Sequence, residues 1–134
     1  MHLAFEKNLV RKLTFTLCGL FMLGISQLAE ANTLCVNPSG SQGCYSKIQD
    51  AVNHATANDV INVAAGTYNE EVDIGISLSL IGAGANKTFI DATNLSHSVF
   101  VDGYDHPGLN DVTVSNFTLE NALYEGVLVA ITPS

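Results

Sequence analysis

From Val60 onward, apolar and polar residues alternate in short runs: Val60 to Val63, Glu71 to Ile74, Ser77 to Ile81, Thr88 to Ile90, Ser98 to Val101, Val112 to Val114, Phe117 to Leu119, and Gly126 to Ile131. Pairs such as Ile61/Val63, Leu78/Leu80 and Val127/Val129 mark strands with one buried and one solvated face. Gly66, Gly75, Gly82, Gly84, Asn94, Gly103, Gly108, Asn116 and Asn121 punctuate them as turn formers. Upstream the period differs. Between Tyr45 and Ala57, Ile48, Ala51, Val52 and Ala55 recur at steps of three and four, predicting one amphipathic helix. Ser46 is its expected N-cap, with Gln49 as capping-box partner.

The runs repeat in order. Leu78-Ser79-Leu80-Ile81-Gly82 aligns with Val112-Thr113-Val114-Ser115-Asn116, Thr88 to Asp91 with Phe117 to Glu120, and Ser98 to Val101 with Gly126 to Val129. An antiparallel sandwich could use the same strands and breakers. The repeated triplet favours three-sided coils, each burying its inner face on the next. Ile61 lies closer to Leu78 than Leu78 does to Val112, so the first coil is expected to be abbreviated. The second is lengthened by the loop from Asp102 to Asp111.

The first residues read as an export address rather than as fold. Lys7, Arg11 and Lys12 precede an apolar stretch from Leu13 to Ile25, too short to span a bilayer, and Ala29-Glu30-Ala31 suits a signal peptidase. Cleavage is expected between Ala31 and Asn32, with no stable membrane insertion afterwards. Cys18 lacks the small residues that precede a lipidated cysteine. Residues 32–59 then form a disulfide loop and cap helix, and 60–134 the first coils.

Removing residues 1–31 leaves Lys47 and Lys87 as the only Lys or Arg, against eleven acids. Nucleic-acid binding needs phosphates to be neutralised, so it is excluded as a role. The same charge weighs against unaided capture of polyanionic sugars. In an exported chain, Cys35 and Cys44 are expected to form a disulfide around Pro38, Gly40 and Gly43.

Cys35 to Val52 (C-V-N-P-S-G-S-Q-G-C-Y-S-K-I-Q-D-A-V) and Asp59 to Glu70 (D-V-I-N-V-A-A-G-T-Y-N-E), followed by L-S-L-I-G-A-G at Leu78 and V-T-V-S-N-F-T-L-E-N at Val112, resemble the start of secreted proteins of the pectin-lyase-like superfamily. The resemblance implies an all-β, right-handed parallel β-helix with an N-terminal capping α-helix, here truncated after its opening coils. It implies that Gly66-Thr67-Tyr68 turns the chain out of its first strand. Asn116 and Asn121 would either stack with equivalents in neighbouring coils or simply tolerate left-handed backbone.

The likeness does not specify an activity. Pectin methylesterases of this fold use aspartates, glutamine and arginine on later coils, and their Gln-Ala-Val and Asp-Phe-Ile-Phe-Gly signatures do not occur here. Lyases of the fold need a basic residue to abstract a proton, and Lys47 and Lys87 sit on the cap helix and in a turn. No catalytic residue and no cofactor is assigned. Asp102, Asp105, His106 and Asp111, with Asp91 nearby, are weak candidates for a cation or acid–base site. Their spacing matches no known metal motif, and a solvated turn explains them. Glu70, Glu71 and Asp73 are read as an exposed acidic face, His54 as a surface or cap-facing residue of the helix, and His97 as having no partner in sequence.

The expected protein is a secreted, periplasmic or cell-surface β-helix segment, carbohydrate-associated or surface-presenting and without catalysis of its own. The alternative is the leading part of a pectin- or uronate-acting enzyme. Self-association through the last coil is expected if its edge is bare.

Overall fold

A computed structural model describes residues 29–132. The apolar stretch from Leu13 to Ile25, expected to direct export, lies outside the described residues. The chain forms β1 (Thr33–Val36), α1 (Ile48–His54), β2 (Val60–Val63), β3 (Gly66–Tyr68), β4 (Val72–Ile74), β5 (Ser79–Gly82), β6 (Thr88–Asp91), β7 (His97–Gly103), β8 (Thr113–Ser115), β9 (Thr118–Glu120) and β10 (Glu125–Ile131).

Every pairing between these strands is parallel. They make three sheets, ordered β1-β2-β5-β8, β3-β6-β9 and β4-β7-β10. From β2 the chain therefore visits the three sheets in rotation, three times over, in a solenoid-like arrangement. The internal repeat coincides with the register. Leu80 lies opposite Val114, Ile90 opposite Leu119 and Val99 opposite Val127.

Each sheet contributes a ladder of inward side chains. Ile61, Leu80 and Val114 stand in one column, Tyr68, Ile90 and Leu119 in a second, and Val72, Val99 and Val127 in a third. The first two members of each column are buried, Ile61, Leu80, Val72 and Val99 completely. Burying such side chains stabilises by about 1.5–3 kcal/mol each. The last coil breaks the pattern: Val127 is 46 % exposed and Val129 57 %.

Four expectations need correction. Helix α1 is shorter than expected, and Ser46 does not cap it. Lys47 occupies the N-cap without a side-chain bond. The Glu70 carboxylate instead accepts the backbone N–H of Ile48 and of Gln49, both at 2.9 Å, satisfying amides that a helix start leaves orphaned. Gly66-Thr67-Tyr68 is a strand paired with β6 rather than a turn. So the first coil, though short in sequence, has all three sides. Finally, Thr33–Val36 is a strand rather than loop, paired in register with β2.

The entry segment is tied down twice. Cys35 and Cys44 form a disulfide with Cα atoms 4.7 Å apart. Tyr45 N–H donates to the Cys35 carbonyl and Asn37 N–H to the Tyr45 carbonyl, each at 2.9 Å. Pro38 packs over Gly66, where an added Cβ would fall 2.6 Å from the Pro38 Cγ. A disulfide suits an oxidising compartment outside the cytosol. Among the described residues no helix is long and apolar enough to cross a membrane.

Helix α1 buries Ile48, Ala51 and Val52 against β1, β2 and β4. Its Gln49 carboxamide acts as a short substitute strand. It accepts the Asp73 N–H at 2.7 Å and donates to the Asp73 carbonyl at 3.1 Å, satisfying backbone groups on β4, the outermost strand of its sheet.

Candidate functional site

On the outer face of the β4-β7-β10 sheet, beside α1, lies a cleft of about 440 Å³. Its polar and aromatic lining is Gln49, Asn53, Asp73, Phe100, Asp102 and His106. Strand alternation places three of these. Asp73 lies between buried Val72 and Ile74, and so faces out. Phe100 is its register partner on β7, and Asp102 follows two residues later on the same face. Gln49 and Asn53 stand one helical turn apart and are hydrogen-bonded to each other at 3.0 Å.

His106 enters from the loop after β7. Its ring packs on Gly75, where an added Cβ would lie 2.7 Å from the ring. Its Nδ1 contacts the Asp102 carboxylate at 3.4 Å and the Asp102 carbonyl at 3.1 Å. The other Asp102 oxygen accepts the backbone N–H groups of Tyr104 and Asp105, so this carboxylate also shapes the loop. Desolvation, with added repulsion from Glu71 and Asp102, raises the Asp73 pKa above its ordinary value. Among the described residues no Lys or Arg lines the cleft.

Of the four loop candidates, the structure brings Asp102 and His106 together. Asp105 is exposed, and Asp111 sits at the rim of a different hollow. Among the described residues no group of three or more His, Cys, Asp or Glu could hold a metal ion. Asp91 ends β6 and its side chain fixes the turn that follows: it accepts from Thr93 at 2.6 Å and from Asn121 at 2.9 Å. The Thr93 hydroxyl and Asn121 amide lower its pKa. No protein-family model and no characterised protein sequence matches the chain. The site must therefore be read from its own geometry.

Glu70 and Glu71 have structural work elsewhere. Glu70 holds the helix start, and Glu71 accepts the His97 N–H at 3.1 Å. His97 is not isolated: its Nδ1 lies 3.1 Å from the Glu125 carboxylate, a charge contact without hydrogen-bond geometry. Asn121 both adopts left-handed backbone, φ 62°, and bonds across to Asp91 of the preceding coil. Asn116 adopts φ 65°, and its carbonyl lies over Gly82, where a Cβ would come within 2.3 Å.

A second hollow, about 490 Å³, opens at the end formed by β8, β9 and β10. Its walls are mostly apolar, including Leu109, Val114, Phe117, Leu119, Val127 and Val129. It is the interior of the third coil seen from outside. The sequence pattern contains these residues but not the exposure of Val127 and Val129 among the described residues.

Proposed function

We propose that this chain is an exported or cell-envelope right-handed parallel β-helix of the pectin-lyase type, presenting its outer faces and associating with uncharged carbohydrate, without catalysis of its own. The rotation of the chain through three parallel sheets supports the β-helix, and the strong preference of parallel crossovers supports its hand. The disulfide supports export.

The observation that carries the carbohydrate reading is the cleft. Phe100 offers an apolar ring face, while Asn53, Asp73 and Asp102 supply hydroxyl-binding acceptors and an amide. Its charge is that of carboxylates, which repel polyuronates. Titration with neutral and with uronate oligosaccharides, followed by backbone NMR, tests it. Neutral oligosaccharides should shift β4 and β7 resonances, and Phe100→Ala should abolish the shifts. Depolymerisation of either substrate, or binding indifferent to Phe100→Ala, would overturn the reading.

A separate observation favours self-association: the apolar hollow and the three outer strands at the β8–β10 end. Among the described residues β8, β9 and β10 each have a neighbouring strand on one side only, and such edges can accept a further β-coil.

A further inference from the structure

We propose that Asp59 is the receptor for the α-ammonium group that cleavage before Asn32 creates, so that export processing completes a buried ion pair at the start of the fold. The proposal rests on the export reading above and goes beyond it by assigning the new terminus a partner.

Asp59 is only 2 % exposed, the most deeply buried carboxylate among the described residues. Burying a carboxylate is costly unless it is hydrogen-bonded and its charge is balanced. Its hydrogen bonds are in place. One oxygen accepts the Thr56 N–H at 2.8 Å and the Thr56 hydroxyl at 3.0 Å. The other accepts the backbone nitrogen of Asn32 at 2.7 Å. Its counter-charge is not in place. Among the described residues the close contacts between a basic and an acidic side chain are His97–Glu125 and His106–Asp102, and neither involves Asp59.

The missing cation is one hydrolysis away. Water cleaving the Ala31–Asn32 bond leaves a carboxylate on Ala31 and an amine on Asn32. At neutral pH the amine takes up a proton. The atom now donating one neutral N–H to Asp59 then becomes an ammonium with three donors, at the same position. That position is set independently of the cleavage. The Val60 N–H donates to the Asn32 carbonyl at 2.9 Å, and Thr33 is in register with Val60. A terminus one residue earlier would place the charge one Cα step away, about 3.8 Å, and leave a neutral amide against Asp59.

The test compares the exported chain beginning at Asn32 with an exported chain keeping Ala31 as its first residue, each with Asp59 and with Asp59→Asn. N-terminal sequencing first fixes where each begins. Charge-assisted hydrogen bonds are roughly twice as strong as neutral ones. The Asn32 terminus should therefore raise the folded-to-unfolded ratio about tenfold over the extended chain, and Asp59→Asn should erase most of that difference. The Asn32 α-amine should also titrate above the ordinary α-amine range, and return to it in Asp59→Asn. Processing at another residue would refute the export reading on which the proposal rests. A chain that begins at Asn32, with an ordinary α-amine titration and no stability difference between the two termini, would refute the ion pair itself.

Discussion

At the β1 end of the stack, helix α1 covers the coil interior, Glu70 holds the helix amides, and Gln49 pairs the outermost strand. At the β8–β10 end the same valine and leucine ladders run out into an open hollow. The two ends draw on similar inward residues. They differ in what lies beyond the last rung: side chains that imitate backbone partners on one side, and on the other strands with no further partner among the described residues. A stacked coil is thus stable only as far as each rung has a neighbour, and polar groups as much as apolar ones end a stack cleanly.

The largest contrast should appear between equivalent rungs. Leu80→Ala, in the middle of its ladder, should cost about 3 kcal/mol in urea unfolding. Val127→Ala, on the exposed coil, should cost less than about 0.5 kcal/mol. Similar costs would mean that the open end is covered after all. Replacing Cys35 and Cys44 with Ser should come next, at roughly 2–3 kcal/mol for a loop of this size. Proteolysis of the native chain should cut first at the β8–β10 end, and proteolysis of the Ser variant should cut first near β1 and α1.

The smallest effect concerns the cleft. The folded-state pKa of Asp73 is raised, by desolvation first and then by Glu71 and Asp102. A carboxyl raised in the fold favours folding at low pH, and that contribution is lost as pH rises through the folded pKa. Asp73→Asn should therefore raise the unfolding free energy at neutral pH, by no more than the ~0.5 kcal/mol typical of an exposed charge. The gain should vanish below the ordinary carboxylate range. Asp59 has the opposite sign: its pKa is lowered, chiefly by the Thr56 N–H. Its stabilisation is present above the ordinary carboxylate pKa and lost as pH falls through the lowered value. Opposite pH dependences for Asp59→Asn and Asp73→Asn would sharpen the distinction between a held carboxylate and a crowded one.

The repeat was legible because each aligned triplet became a register of partners: Leu80 with Val114, Phe89 with Thr118, Val99 with Val127. What was hidden has physical reasons. β1 and β3 are short, and each contains residues that also signal turns or disulfides, Cys35 in one and Gly66 in the other. The helix cap comes from Glu70, 22 residues beyond Ile48, where a local capping rule has no reach. Ser46 looked right only because such rules see neighbours. The cleft was half visible, with Asp73 marked as part of an acidic group and Asp102 and His106 as site candidates. Gln49 and Phe100 carried no signal as site residues, since only the pairing of β4 with β7 and the packing of α1 bring them together.

Residue-resolved hydrogen exchange on the folded chain tests the two-ended account most directly. Amides of Ile61, Val63, Leu80 and Ile90 should be the slowest to exchange. Those of β8, β9 and β10 should exchange at least ~100-fold faster, opening by local fluctuation rather than global unfolding. Protection that is uniform along the stack, or that is weakest around α1 and β2, would contradict it.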